Sequence, residues 1–218
     1  MTIAADATLD EIRLGLAPQV AKGAVFDGWG DEALLAAASM AGVDPAVARL
    51  AFPGGPMDMI AAWVESVDAA MMATFGGGAL DTMKIRERIR TLVWFRLEQV
   101  KGLEEALSRA LAIQAMPQNA LRTMRMGWSS ADKMWRLAGD TSTDYNHYTK
   151  RVILASIYAA TLAIYVNDES EDKADSRAFL DRRIDGVMKF EKAKAKAFGD
   201  REHFDVARFL GRLRYPSS

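Results

Sequence analysis

The sequence predicts an all-α fold, and two features of the chain support this prediction. Apolar residues recur at spacings of three and four along almost the whole chain, which is typical of amphipathic helices. Glycine and proline fall mostly between these periodic segments, where they punctuate the chain. No segment shows the strict alternation of a half-buried strand, so we expect no sheet.

The starts of several helices carry local signals. Asp44-Pro45 combines a capping side chain with a proline in the first turn, and Gly55-Pro56 repeats the proline signal. Thr143 is a candidate cap for the long helix after it. We expect ten helices, at about 7–22, 30–41, 44–51, 56–75, 79–97, 101–114, 117–137, 143–167, 174–198 and 202–214.

Composition narrows the possible functions. The chain contains 28 Lys and Arg residues and 29 Asp and Glu residues, so its net charge is −1. A charge near zero provides no overall positive field to attract nucleic acid. The chain has no cysteine, which favours a reducing, cytoplasmic location. The first residues do not resemble a secretory signal, and no run reaches the roughly 18 apolar residues of a spanning helix. We therefore expect any membrane contact to be peripheral.

The N-terminal part predicts a helix-turn-helix. Two short helices in residues 30–53 are broken at Ala41-Gly42-Val43, and Phe52-Pro53 precedes a long helix. This order resembles the N-terminal domain of TetR-type regulators. The second short helix, however, offers one cation, Arg49, and neither an amide nor a hydroxyl to read base edges. We expect it to pack rather than to bind DNA, with a ligand-responsive TetR-type repressor as the alternative function.

An aromatic and methionine-rich stripe lies on the helix predicted at 117–137. Trp128 and Trp135 are seven residues apart, with Met126, Asp132 and Met134 close by. A stripe of this kind is most often core. The functional alternative is an interaction surface, because Trp, Met and Arg are enriched at protein interfaces.

Four segments resemble the ninth Coq protein family, a lipid-binding accessory factor of ubiquinone biosynthesis. They are MPQN, DKMW, AGDTSTDYNHYTKR and FLDRRI, within about residues 100–190. The resemblance implies a TetR-regulator-like fold, a homodimer, a bound isoprenoid or phospholipid, and a ubiquinone-pathway hydroxylase as partner. The partner-binding residues would then be Met126, Trp128, Asp132, Met134, Trp135 and Arg136.

Large apolar side chains are the candidates for a lipid pocket. Twelve methionines and five tryptophans supply adaptable lining, although each is individually more often plain core. The pocket candidates are Trp63, Met71, Met72, Phe75, Trp94, Phe95, Leu154 and Tyr158. They lie in a predicted lipid-binding and dimerisation domain, 56–198, which follows the helix-turn-helix domain, 1–55.

No catalytic or metal-binding residue is predicted. The only histidines, His147 and His203, lack the glutamate three residues earlier that helical di-iron sites use. Both are better interpreted as structural or solvent-facing. The chain also lacks a phosphate loop, a dinucleotide-binding glycine turn and a nucleophile elbow. We therefore expect a protein that is not an enzyme and that holds no cofactor besides its lipid.

The C-terminal segment, 199–218, predicts a separable amphipathic helix. Apolar residues can share one face while arginines take the other, which suits the inner face of an anionic membrane. The alternative is a helix that packs on its own domain or on a partner subunit. The candidate membrane-binding residues are Phe204, Arg208, Phe209, Leu210, Arg212 and Leu213.

These expectations combine into one hypothesis. The protein takes a polyprenylated quinone intermediate from the membrane into a cavity and presents it to a hydroxylase. The helices predicted at 143–167 and 174–198 would form the dimer seam.

Overall fold

The chain forms an all-α fold, as predicted, in a computed structural model that describes residues 3–198 apart from residues 5 and 144. Nine α-helices lie within these residues, with single 3₁₀ turns at Pro117–Asn119 and Glu171–Lys173. The helices are α1 (Leu9–Asp27), α2 (Asp31–Ala41), α3 (Pro45–Ala51), α4 (Pro56–Phe75), α5 (Ile85–Glu98), α6 (Glu104–Gln114), α7 (Ala120–Leu137), α8 (Tyr145–Tyr165) and α9 (Ala174–Phe198). The helix predicted at 202–214 lies outside the described residues.

Local signals mark ends of the first three helices, and among them the Asp44-Pro45 cap was predicted from the sequence. Thr8 and Glu11 make a reciprocal capping box at the start of α1. The Asp44 carboxylate accepts a hydrogen bond from Ala46 N at 2.7 Å and so caps α3. Gly42 takes the left-handed conformation, φ 72°, that the sharp turn between α2 and α3 requires. This part of the chain is a helix-turn-helix.

Helix α1 connects the helix-turn-helix to the rest of the molecule. It packs against α2 and α3 and also against α4 and α6. Beyond its end, Trp29 Nε1 donates to the Ala106 carbonyl at 2.8 Å, and the Trp29 ring lies 5.3 Å from the Trp63 ring. These contacts join the helix-turn-helix region to α4 and α6.

Two compact units divide the chain after Leu180. The first contains α1 to α8 and the beginning of α9, and the second begins at Asp181. No helix within the described part of the chain is both long and apolar enough to cross a membrane.

Two predicted helix boundaries were wrong. Helix α1 continues past the predicted end at residue 22, because Gly23 is a close-packing position: a Cβ there would lie 3.1 Å from the Cβ of Ala33. Helix α5 begins at Ile85 rather than 79, because Gly77 and Gly78 take positive φ and Glu87 caps the amide of Lys84. The glycine run therefore belongs to a turn-rich connection.

Candidate functional site

A cavity of about 690 Å³ lies among α4, α5, α6, α7 and α8. This volume is within the range of pockets that hold small organic ligands, roughly 300–1,000 Å³. Its walls are mostly apolar, and small residues on α7 and α8 leave the space open. The lining comprises Trp63, Val64, Val67, Arg96, Val100, Leu107, Leu111, Gln114, Ala115, Thr123, Met124, Met126, Gly127, Trp128, Ser130, Val152, Ala155, Ser156, Tyr158, Ala159 and Leu162.

The cavity reaches the protein surface at one rim. Met124 on α7 and Val152 on α8 line the cavity, yet they are 70% and 56% exposed. Ala115, Ser156 and Ala159 are also both lining and exposed. Apolar side chains of α7 and α8 therefore border the opening of the cavity.

A charged cluster, which we call the cavity cluster, lies at the cavity wall and comprises Asp68, Arg96, Ser130 and Lys133. The guanidinium of Arg96 forms an ion pair with Asp68, and Lys133 Nζ lies 2.7 Å from the same carboxylate. Arg96 Nη2 donates to Ser130 Oγ at 3.2 Å. Of the four residues, Arg96 and Ser130 line the cavity.

Arg96 stays charged despite its burial. Burial opposes the charge, but neighbouring Tyr158 and Asp68 raise the pKa of Arg96 above its ordinary value. The guanidinium carbon lies 4.9 Å from the centre of the Tyr158 ring, so the ring face also stabilises the cation. Arg96 is thus the one charged residue among those that line the cavity.

Two of the eight predicted pocket residues, Trp63 and Tyr158, line the cavity. The other six lie elsewhere, for reasons of packing. Met71 and Leu154 are buried in the core, and Met72 is 41% exposed. Phe75 and Phe95 pack edge to face at 5.3 Å. Trp94 donates to Glu98 at 2.7 Å and carries the Arg177 guanidinium 3.7 Å above its ring.

The predicted partner-binding residues also separate in the structure. Met126 and Trp128 line the cavity, and the Trp128 ring lies 5.9 Å from the Tyr148 ring. Met134 is fully buried, so its prediction as an accessible docking residue was wrong. Asp132, Trp135 and Arg136 remain together near the end of α7.

Asp132 belongs to a second charged cluster, which Trp135 and Arg136 adjoin. We call it the corner cluster, and it comprises Asp132, Asp140, Lys150 and Arg151. Arg151 Nε donates to Asp132 at 2.6 Å, and Arg151 Nη1 donates to Asp140 at 3.1 Å. Lys150 Nζ donates to Asp140 at 2.7 Å. Burial would raise the pKa of Asp140, but hydrogen bonds from Lys150, Ser142 and Arg151 lower it to about 2.

The corner cluster holds Trp135 in place and leaves Arg136 exposed. Trp135 Nε1 donates to the Lys150 carbonyl at 3.0 Å, and the Lys150 ammonium lies 5.4 Å from the Trp135 ring centre. The Arg136 side chain is 70% exposed and pairs with Asp132 one turn earlier. Arg136 is therefore available to a partner, while half-buried Trp135 has a structural role as well.

Three other regions considered in the sequence analysis are possible metal sites, helix α3 and the C-terminal segment. No group of three or more His, Asp or Glu suited to a metal ion occurs among the described residues. On α3, Arg49 pairs with Asp31 at 3.0 Å. The predicted membrane-binding residues Phe204, Arg208, Phe209, Leu210, Arg212 and Leu213 all lie outside the described residues.

Sequence reasoning missed Arg96 and the small lining residues. One signal could have found part of the lining: Val152, Ala155, Ser156 and Ala159 recur at helical spacing on α8, which places short side chains on one face. A groove forms where side chains are short. The Asp68–Arg96 pair has no comparable signal, since its partners are 28 residues apart on different helices.

The helical architecture matches that of TetR regulators. A crystal structure of a TetR transcriptional regulator from Nitrosomonas europaea superposes with a TM-score of 0.63 at 19% identity, covering 79% of this chain and 95% of that chain. The chain thus has a TetR-regulator-like fold with an apolar cavity. This confirms the predicted fold class.

The sequence comparisons identify the family. Residues 120–191, which contain α7 and α8, match the COQ9 family. The mitochondrial ubiquinone biosynthesis protein COQ9 of Rattus norvegicus is 33% identical over 168 residues, 74% of this chain and 54% of that protein. The Homo sapiens protein of the same name is 30% identical, with 74% and 52% covered. The chain carries a COQ9-family domain and spans about half the length of these relatives.

Proposed function

We propose that the protein acts in ubiquinone biosynthesis as a lipid-binding accessory factor. It takes a polyprenylated quinone intermediate from the membrane into the cavity and presents it to a hydroxylase. The COQ9-family domain supports the pathway, because the similar rat and human proteins are named for ubiquinone biosynthesis. The lipid step rests on the cavity, and the protein itself supplies no catalytic group.

The observation that carries the proposal is the combination of an apolar cavity and an exposed rim. Each methylene removed from water contributes about 0.8 kcal/mol, so a chain of isoprene units gains substantial free energy in this cavity. That gain must offset an association cost of about 4–15 kcal/mol, which favours ligands with many buried carbons. In this proposal such a chain enters from a membrane surface past Met124 and Val152, which are exposed and apolar.

Mass spectrometry of lipids extracted from the purified protein tests the proposal. We expect isoprenoid quinone species to be enriched over the lipid extract of the host cells. Ala155→Trp fills the cavity, because Ala155 lines it directly opposite Gly127 on α7. This variant should lose the bound lipid, whereas Ala112→Trp, on the exposed side of α6, should retain it. Absence of isoprenoid enrichment in the wild-type protein would contradict the proposal.

The partner hydroxylase docks, in this proposal, at the corner formed by the end of α7 and the start of α8. Arg136 offers an exposed guanidinium there, beside Asp132 and the half-buried Trp135. Arginine and tryptophan are the residue types that dominate binding energy at protein interfaces. The corner also lies on the two helices that line the cavity mouth, so docking would bring the hydroxylase close to the lipid.

The C-terminal segment contacts the inner face of the membrane in this proposal, and two copies of the chain pair through α8 and α9. Deletion of residues 201–218 should weaken co-flotation with anionic liposomes while leaving the sedimentation coefficient of a dimer. Full retention of flotation would contradict the membrane role. Sedimentation as a monomer at micromolar concentration would contradict the dimer.

A TetR-type repressor is the alternative function, and the surface of α3 does not favour it. Pro45, Ala46 and Leu50 are exposed there, and Arg49 is paired with Asp31. Such a surface supplies little counterion release and few hydrogen bonds to bases. A gel shift with genomic fragments at moderate salt should therefore show no sequence-selective retention.

A further inference from the structure

Large apolar side chains at the mouth of the cavity are exposed. Leu121 and Met124, one turn apart on α7, are each 70% exposed, and Tyr148 and Val152, one turn apart on α8, are exposed as well. We call these four residues, together with Arg125, the mouth surface. Globular proteins rarely expose large contiguous apolar surfaces, and those that they do expose mark binding sites for ligands, proteins or membranes.

The packing of α7 against α8 joins these side chains into one surface. Met124 and Val152 come from different helices and both line the cavity, so they meet at its opening. The Tyr148 ring lies 5.9 Å from the ring of Trp128 on α7, which is itself a lining residue. Leu121 extends the apolar surface by one turn beyond Met124. The mouth surface therefore borders the opening of the cavity on two helices.

The charge around the mouth surface is positive. Residues 115–131 and 145–167, which include all the lining residues of α7 and α8, contain four cations and no Asp or Glu, although the whole chain has a net charge of −1. Arg125 is exposed among them. The next acid along α7, Asp132, is already paired with Arg151. Exposed apolar side chains flanked by cations are typical of helices that lie in the interface of an anionic membrane.

We propose that the mouth surface docks on an anionic lipid bilayer, so that the cavity opens directly into the membrane. Leu121, Met124 and Val152 enter the acyl region, and Arg125 contacts the lipid phosphates. Tyr148 lies at the level of the headgroups, where tyrosine is enriched in membrane proteins. This inference rests on the proposed lipid-binding function and specifies how the lipid reaches the cavity. It adds a second membrane contact to that of the C-terminal segment.

A bilayer at the mouth leaves the corner free for the hydroxylase. Arg136 follows Leu121 by 15 residues on α7, which corresponds to about 22 Å along the helix. The two partners can therefore bind the same α7 at its opposite ends. A lipid that enters from the bilayer then passes to the hydroxylase without leaving the protein for water.

A fluorescent label at position 121 tests the docking directly. The chain contains no cysteine, so Leu121→Cys in the full-length protein can be labelled at one position with the polarity-sensitive dye NBD. Leu121 does not line the cavity, so the cavity lining stays intact. Vesicles of phosphatidylcholine and phosphatidylglycerol in equal parts should shift the emission to the blue and increase it. Leu50→Cys, a 65% exposed position on α3, is the matched control and should show no shift.

Charge reversal tests the electrostatic part of the proposal. One cation near an anionic bilayer contributes about fivefold in affinity, so Arg125→Glu should weaken binding of the full-length protein to the same vesicles by at least about fivefold. Lys22→Glu, at an exposed position on α1, changes the net charge equally and should alter the affinity by less than about twofold. Vesicle flotation at a series of lipid concentrations measures both.

An emission at position 121 that vesicles leave unchanged, or wild-type vesicle affinity of Arg125→Glu, would overturn the proposal. If Arg125→Glu instead loses the hydroxylase in solution and keeps its vesicle affinity, the mouth surface is a protein-docking site. The proposed function fails separately. A label that stays in water while isoprenoid lipids co-purify refutes only the docking, whereas a label that enters the bilayer without any enrichment of isoprenoids refutes only the proposed lipid.

Discussion

Two buried arginines, Arg96 and Arg151, occupy similar environments but have different hydrogen-bond partners. Each is 2% exposed, and each forms ion pairs across neighbouring helices. Arg151 donates to Asp132, to Asp140 and to the His147 carbonyl. Arg96 is paired with a single carboxylate and retains an unpaired Nε–H.

The two clusters differ in their ratio of carboxylates to cations. The corner cluster contains two aspartates and two cations, Lys150 and Arg151, whereas the cavity cluster contains one aspartate, Asp68, and two cations. A buried arginine that is paired on several sides holds helices together. The comparison therefore assigns a structural role to Arg151, which joins α7 to the start of α8. Arg96 also joins helices, because it pairs with Asp68 of α4 and Ser130 of α7.

The largest expected effect is that of Arg151→Met on stability. This substitution removes donors from Asp132 and Asp140, and breaking a buried ion pair of this kind costs about 3–5 kcal/mol in the free energy of unfolding. Urea denaturation followed by tryptophan fluorescence measures the loss. Arg49→Met, which breaks an exposed pair with Asp31, should cost at most about 1 kcal/mol.

Ligand binding by Arg151→Met provides a second test of its structural role. Arg151→Met should retain the isoprenoid lipid that we propose for the cavity, because Arg151 does not line the cavity. A loss of stability below about 1 kcal/mol, or a loss of that lipid, would contradict the structural role of Arg151.

Trp135→Ala should cost about 2–3 kcal/mol in the free energy of unfolding, less than full truncation of a core tryptophan because the ring is half-buried. The variant loses ring packing, the hydrogen bond to the Lys150 carbonyl and the contact with the Lys150 ammonium. Trp135→Phe keeps a ring and should cost about 1 kcal/mol for the hydrogen bond. Both values come from urea titrations. Wild-type stability of Trp135→Ala would show that the corner does not depend on this residue.

Acid titration separates the corner cluster from the rest of the fold. The folded-state pKa of Asp140, about 2, lies below the ordinary value of 3.8, so its charge stabilises the fold above about pH 4. This contribution, at most about 2 kcal/mol, is lost as the pH falls from 4 toward 2. Asp140→Asn should flatten the fall in stability over that interval, as measured by urea midpoints at successive pH values.

Asp168 provides the control for this titration. Burial would raise its pKa, but hydrogen bonds from Ser170 and Ser176 lower it to about 2 as well. It lies between α8 and α9, away from the four corner residues in sequence. The acid sensitivity due to Asp168 should therefore persist in Asp140→Asn. A variant with unchanged pH dependence would mean that Asp140 is not held ionised by the corner cluster.

The sequence located most helices because periodicity and capping are local properties. The predicted ranges for α2, α3 and α4 agree with the structure to within a residue at each end. The predicted end of α1 at residue 22 was wrong, because Gly23 makes close contact with Ala33 inside the helix rather than ending it. That role depends on a neighbouring helix, which single-sequence periodicity does not report.

The cavity was less predictable because a cavity forms where side chains are short. Choosing large apolar residues selected core positions such as Met71 and Leu154, while the lining includes Gly127, Ala155 and Ala159. Trp63 and Tyr158 were found because aromatic rings can border a space as well as fill one. The cavity cluster needed knowledge of which helices meet, since its members come from α4, α5 and α7.

Arg136→Ala has the smallest expected effect on stability and tests the exposed side of the corner. Arg136 is 70% exposed and its pair with Asp132 is an (i, i+4) contact, so the free energy of unfolding should change by no more than about 0.5 kcal/mol. Arginines at interface centres can nevertheless carry about 2 kcal/mol of binding energy, which corresponds to more than a tenfold loss of affinity.

Binding of Arg136→Ala to the ubiquinone-pathway hydroxylase of the same organism, measured by biolayer interferometry, separates these two effects. We expect weaker binding by an undisturbed fold, while Arg49→Ala on α3 should bind normally. Wild-type affinity of Arg136→Ala would show that the hydroxylase does not dock at the corner. Because Arg151 is paired beneath Asp132 in either case, that result would leave its structural role, and its contrast with Arg96, unchanged.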